Sequence, residues 1–360
     1  MVLVAGTRLD RRRSEIGPAV RINRFSVIGL RLIPSATSNR RQKNRYDPRW
    51  NPIRAFEQGR VSVRTSGHSN TKEPALPKLD CLHWCRLLLF GLLFPIAMSP
   101  GAAQEHPGLR ISTPEEIASE FASVPCDNAG RLPAVRAMLT RMGAQDSDFR
   151  IDRFDAYDGV ENLSLTLPGE SPEKIVIGAH YDKIGDGCGA VDNWTGQVAL
   201  AHLYRTFHGM RLKRTLVFVA FGREENGLVG SRAMVSAIPH EQLASYCAMI
   251  NIDSLGLARP QVADNMSSRT LERLAVDVAK SMDIPFSHVT IGGSASDSNA
   301  FTAKKIPAIT LHGLDRNWMQ VLHRREDQAS KVNPMSVYLG YRLALSMVAR
   351  MDHSPCGAYR

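Results

Sequence analysis

The chain has 360 residues and a formal net charge of +10 at pH 7. That length is enough for a sizeable buried core. The charge excludes less than it suggests, because residues 1–80 carry 17 Lys and Arg against 6 Asp and Glu, whereas the chain from Gln104 onward carries 27 against 29. The main domain is therefore not read as a nucleic-acid binder.

Residues 1–80 contain clusters such as "DRRRS" and "SNRRQKNR" and show no sustained hydrophobic period, so they cannot build a core. They are expected to be a basic disordered segment, or to lie ahead of the true translation start, since no Met stands between Met1 and Met98. Within residues 81–103, the apolar run from Leu87 to Met98 follows Arg86 and precedes the small residues of "SPGAAQ". This is the pattern of a signal peptide cleaved after Ala103, and it is short for a membrane span. Export to the periplasm or the medium follows as an expectation. Membrane attachment follows only if residues 87–98 stay uncleaved as an anchor. The alternatives are a basic tail before a short anchor and an Arg-rich transit peptide. Residues 104–360 are read as a single domain.

From Ser112 the pattern alternates. "STPEEIASEFASV" opens with a helix-start signature, and "LPAVRAMLTRMG" has helical spacing with a Gly stop. "FRIDRFDAY" and "ENLSLTLPG" read as strands. Then come strand "EKIVIGAH", helix "TGQVALAHLYRTFHG", strand "RTLVFVAFG", helix "NGLVGSRAMVSAI", strand "CAMINIDSLG" and helix "SSRTLERLAVDVAKSM". A weaker strand near "HVTIGG", a short helix "SDSNAFTAKK", strand "IPAITLHG" and a helix from Pro334 to Met351 complete the order. The runs "IVIGA", "LVFVAF" and "AMINI" are almost wholly apolar, as in strands buried on both faces. The predicted fold is α/β, with a mixed, largely parallel central sheet covered by helices on both faces.

In such sheets, ligands gather beyond the carboxyl ends of the strands. Those ends carry His180 and Asp182, then Asp192, then Glu224 and Glu225, then Asp253, and late in the chain His312, His323 and Asp327. Taken singly, each is an ordinary loop residue or helix cap. Together, so many acids at one edge would repel one another unless cations neutralise them. Two His with several carboxylates form a donor set suited to zinc. A shared carboxylate permits a two-metal site. Asp186 and Cys188 are read as loop residues. Cys126, Cys188, Cys247 and Cys356 show no metal-site spacing, and disulfides or buried thiols fit them equally.

The ordered motifs "GAHYD", "GAVDNWTG", "REENGLVGS", "INIDSLG", "SDSNAF" with "IPAI", and "HRREDQASKVN" resemble the co-catalytic two-zinc peptidases of the secreted leucyl aminopeptidase type. Their relatives are glutamate carboxypeptidases and glutaminyl cyclases. The resemblance covers residues 112–352 and implies an aminopeptidase with a zinc-aminopeptidase-like α/β/α sandwich. It further implies two zinc ions and peptide substrates with a free N-terminus. By the same resemblance, His180 and His323 share one ion, Asp192 bridges both, and Glu225 and Asp253 hold the second. Glu224 is then the general base acting on a metal-bridging hydroxide. Asp182 and Asp327 orient His180 and His323, and His312 is set aside. Two departures stand out: Ser298 occupies a place where the family often has His, and no Tyr precedes His323 to assist an oxyanion. The alternative activity is glutaminyl cyclisation. The compact "EE" to "GS" spacing and the Thr-Gly after "DNW" argue against it. A catalytically inactive binding ectodomain is the third reading, opposed by the intact Glu224 and ligand positions.

Overall fold

The computed structural model describes residues 110–360, together with a two-residue strand, Val2–Leu3, paired with Ser294–Ala295. Apart from that strand, the expectations for residues 1–80 and 81–103 lie outside the described residues.

Helix α1 (Pro114–Ser119) starts as its sequence dictates. The Thr113 side chain accepts from the Glu116 N–H, and the Glu116 carboxylate accepts from the Thr113 N–H, a reciprocal cap with Pro at the first position. Helix α2 (Asn128–Arg141) begins four residues before the expected Leu132, because the Asp127 side chain caps it by accepting from the Gly130 N–H at 2.7 Å. The strands that follow are β1 (Phe149–Phe154), β2 (Val160–Leu167), β3 (Ser171–His180) and β4 (Arg214–Phe221). After them come β5 (Tyr246–Ile252), β6 (Gln261–Ala263), β7 (Ser287–Val289) and β8 (Ala308–His312). The remaining helices are α3 (Thr195–Phe207), α4 (Val229–Ser236), α5 (Arg269–Ser281), α6 (Ser298–Ala303) and α7 (Pro334–Asp352).

These strands make one eight-stranded sheet in the order β1-β2-β4-β3-β5-β8-β6-β7. Strands β4, β3, β5 and β8 are mutually parallel. Antiparallel β1 and β2 extend one edge, and β6 pairs antiparallel with β8 on the other. Sequence reading missed β6. Three residues are too few to show a strand period.

The apolar runs are explained by their two-sided burial. On β3, Ile175, Ile177 and Ala179 enter one cluster, while Val176 enters a second. On β4, Leu216, Phe218 and Ala220 face the first, and Val217, Val219 and Phe221 the second. The first cluster includes side chains of α2, α3, α5 and α7; the second includes Val235 of α4 and Ala300 and Phe301 of α6. Helices thus cover both faces. Each fully buried Ile, Leu or Phe contributes roughly 1.5–3 kcal/mol of transfer free energy. Because the four central strands run one way, His180 and the residues just after β4, β5 and β8 emerge at a single edge.

Candidate metal centre

Each candidate residue is delivered by a strand end or by the loop after it. His180 closes β3. The Asp182 carboxylate accepts the backbone N–H groups of Glu224 at 2.9 Å and Glu225 at 3.1 Å, so it fixes the loop after β4. It also stands 3.6 Å from His180 Nδ1, which makes a closer contact, 3.1 Å, with the Asp182 carbonyl oxygen. The main-chain carbonyl of Asp182 is thus the nearer partner of His180, while its carboxylate positions both glutamates. Asp192 lies in the turn before α3, where the Asp192–Asn193 peptide is cis.

The two oxygens of Asp192 face different partners. Oδ1 lies 3.2 Å from His180 Nε2, and Oδ2 lies 3.1 Å from His323 Nε2. His180 Nε2 is also 3.5 Å from Asp253 Oδ1. His323 Nε2 is 3.1 Å from Glu225 Oε2. Donor atoms of His180, Asp192 and Asp253 fall within 4.8 Å of one another, and so do those of Asp192, Glu225 and His323, and those of His180, Glu224 and Glu225. This corrects the expected pairing. His180 and His323 fall in no common donor group: His180 groups with Asp192 and Asp253, and with the two glutamates, whereas His323 groups with Asp192 and Glu225. The reason is the reach of the loops, because β5 runs beside β3 and brings Asp253 to His180, while His323 arrives from the far loop onto Glu225.

A second correction concerns Asp327. Its carboxylate accepts the N–H groups of Val191 at 2.6 Å and Asp192 at 3.1 Å rather than a ring N–H of His323. It holds the turn that presents Asp192. Gly185, with φ of +76°, lets the loop after β3 lie against His323, since a Cβ there would overlap the His323 carbonyl.

The electrostatics of the cluster call for positive charge. Asp182, Asp192, Glu224, Glu225, Asp253, Asp297 and Asp327 are all buried. Burial, with repulsion from Asp253 and Asp297, holds the Glu224 carboxyl well above its ordinary range. Burial and the Asp192 charge raise Glu225. Burial pushes Asp297 up to about 7, and burial with Asp192 pushes Asp327 to about 7. On His323, burial disfavours the imidazolium, but hydrogen bonds and charges from Asp192 and Glu225 outweigh it and lift the ring to about 10. His180 is raised likewise, with Glu224, Asp182 and Asp192 overcoming its burial. A site that must otherwise take up protons fits divalent cations, and its imidazole and carboxylate donors fit zinc.

Several features were not visible in the motifs. Asp253 receives hydroxyl hydrogen bonds on both oxygens, from Ser254 at 3.1 Å and from Ser296 at 2.5 Å. Ser298 is turned away from the metal donors. It donates to the Met266 carbonyl at 2.8 Å and pairs with the Thr310 hydroxyl at 2.7 Å. His312 is buried, its Nδ1 accepts from the Leu314 N–H, and it belongs to neither donor group. Cys188 is not an idle loop residue: it forms a disulfide with Cys126, and Cys247 forms another with Cys356. Arg131 is fully buried behind the site. It stands in the buried stripe Arg131, Val135, Met138 and Leu139 of α2, ahead of the helix expected from Leu132, and so carries no signal in the sequence.

The family model of peptidase family M28 matches residues 162–347. A probable leucine aminopeptidase of Trichophyton verrucosum (strain HKI 0517) is 27% identical over 193 residues, covering 48% of this chain and 52% of that protein. The chain spans about half the length of the curated relatives it matches. Among solved structures, the Legionella pneumophila LapA aminopeptidase aligns with a TM-score of 0.55 at 18% identity, covering 70% of this chain and 78% of that one. An Acidobacteriales bacterium glutaminyl cyclase aligns with a TM-score of 0.55 at 18% identity, covering 73% of this chain and 99% of that one. At such identities the two likenesses show the fold alone.

Proposed function

Because the chain belongs to peptidase family M28, a zinc-dependent peptidase family, we propose that it is a metallo-aminopeptidase that holds two zinc ions and removes N-terminal residues from peptides. The observation that carries this reading is Asp192, whose two carboxylate oxygens face two separate donor groups. One ion would be held by His180, Asp192 and Asp253, and the other by Asp192, Glu225 and His323. Zinc bound there would supply Lewis-acid polarisation of the scissile carbonyl and a water made acidic near neutral pH.

The chain's own residues then do the following. Glu224 is the proton carrier. It is buried, and its Oε2 lies 4.0 Å from His180 Nε2. Its backbone N–H is anchored on Asp182, which fixes where the carboxylate points. Its raised affinity for a proton suits it to take one from the attacking water and return it to the leaving amine. Asp182 keeps the His180 ring turned so that Nε2 faces the donors. Asp327 keeps the Asp192 turn in register. The substrate's free α-amine would be recognised by the acidic surroundings of the same edge.

The reading extends to location. Two disulfides and the apolar run of residues 87–98 favour an exported protein. The test of function is hydrolysis of aminoacyl p-nitroanilides by zinc-loaded protein beside its Glu224→Gln variant. Hydrolysis lost in the variant with zinc retained supports the proposal. If wild type and variant bind zinc and are equally inert, the proposal fails. If peptides with N-terminal Gln are cyclised instead of hydrolysed, the cyclase reading replaces it.

A further inference from the structure

His180 and Asp192 lie at the two ends of one loop, residues 181–191, so their spacing depends on what holds that loop. Asp327 holds one side of it, through the N–H groups of Cys188, Val191 and Asp192, and a second holder comes from the other side, from α2. Arg131 donates from Nε to the carbonyl of Tyr181, next to His180. From Nη1 it donates to Cys188 at 2.8 Å and Pro125 at 3.1 Å, and from Nη2 to Gly189 at 3.2 Å. One planar guanidinium therefore spans both ends of the loop. Its far face lies over the Trp194 ring, 5.5 Å from the centroid. Two neighbouring contacts tighten the same segment. The Asn128 amide donates to the Lys183 carbonyl at 3.0 Å and accepts the Lys183 N–H at 2.9 Å, and Cys126 is bonded to Cys188.

The guanidinium is wholly buried and bonds only carbonyls, so it makes no direct salt bridge to offset its burial. Its charge is balanced through space by Asp182, Asp327, Asp192 and Glu225. Burying a cation is costly unless its hydrogen bonds and nearby charges compensate. Gly189, with φ of +59°, lets the loop fold this tightly, since a Cβ there would overlap the Asp192 carbonyl and the Lys183 Cβ at 2.7 Å and press on Arg131 Nη1 at 3.1 Å. Arg131 and Asn128 lie outside the family match at residues 162–347, whereas the loop that they hold lies within it.

We infer that Arg131 is a positioning residue that sets the distance between His180 and Asp192 and so tunes how tightly the chain holds zinc. The inference rests on reading His180 and Asp192 as metal ligands. Lysine cannot replace it, because one ammonium cannot bond carbonyls at both ends of the loop in fixed directions. Asn128 supports the same loop more weakly.

The experiment uses the full chain with Arg131→Lys and with Asn128→Ala, the latter an exposed site that leaves the buried carbonyls paired. Three readouts are taken: zinc competition against a chromophoric chelator, the absorption bands of the cobalt-substituted protein, and amide hydrogen exchange of residues 181–192 without metal. Partners that orient metal ligands are each worth about 10–100-fold in metal affinity. Arg131→Lys is expected to weaken zinc about 10–100-fold, to shift the cobalt bands and to speed exchange in the loop; Asn128→Ala acts in the same direction, less strongly. A loss of folding alone would not change the cobalt bands of the protein that remains folded. If wild type binds no zinc, the metal reading fails while hydrogen exchange still tests the clamp. Loop exchange unchanged in the folded variants would overturn the inference, and so would wild-type zinc affinity with wild-type cobalt bands.

Discussion

Replacing Asp182 by Asn tests whether the site is organised through this one carboxylate. The side chain keeps its shape but loses its charge. It now accepts the N–H of Glu224 at 2.9 Å and that of Glu225 at 3.1 Å, with His180 Nδ1 3.6 Å away. In the variant one position becomes an amide N–H₂ that faces a backbone donor. The His180 ring and the two N–H groups hold the Asp182 carboxyl below its ordinary range against the effect of burial, so the charged form is the one being lost. A hydrogen bond to a charged group is worth about 1.5–3 kcal/mol, and leaving a buried donor unsatisfied costs a similar amount. About 3 kcal/mol of stability should therefore go. For a domain of this size, that is a fall of about 6–12 °C in unfolding temperature. The assay is thermal unfolding of metal-free Asp182→Asn beside wild type, followed by zinc competition, where about 10–100-fold weaker binding is expected. Unfolding within about 1 °C of wild type, with unchanged zinc affinity, would refute the role given to Asp182.

Two further outcomes follow from the charges. With its ring lifted to about 10, His323 is protonated at pH 7 in the metal-free protein, so zinc uptake must release a proton. Calorimetric titrations in buffers of different ionisation heat should show that release, with affinity rising as pH rises towards about 10; binding heats independent of buffer would contradict it. Far from the site, Glu116 accepts from Arg205 at 3.0 and 2.7 Å, which with the Thr113 N–H lowers its carboxyl to about 2. Because the folded value is depressed, this stabilisation is present above the unfolded pKa of about 4.5 and is lost as pH falls towards 2. The pair is partly exposed and screened, so it is worth about 0.5–1 kcal/mol. The stability gap between wild type and Glu116→Gln should close between pH 5 and 2; a constant gap would show that the charge contributes nothing.

The parts of this molecule that are visible in its sequence are those with a local signature. "IVIGA", "LVFVAF" and "AMINI" announce strands buried on both faces, and the structure divides each of them between two clusters. Residues at strand ends announce a site because parallel strands must release them at one edge. What could not be read depends on distances across the fold. The division of ligands into His180 with Asp253 and His323 with Glu225 is set by strand neighbours, not by chain order. Asp327 spends both oxygens on the backbone of Val191 and Asp192, a contact with no sequence pattern. The cysteine pairs span 62 and 109 residues, and spacing gives no connectivity over such lengths. Arg131 could not be read either, because it stands ahead of the helix expected from Leu132 and joins the buried stripe only with α2 beginning at Asn128.

The claim at the centre of the account is that Asp192 serves two zinc ions at once. Elemental analysis of zinc-loaded, desalted protein tests it most directly. Two zinc ions are expected per wild-type chain, one per His323→Ala chain, and fewer than one per Asp192→Ala chain, all in folded protein. A single zinc in wild type, or two retained by Asp192→Ala, would contradict it.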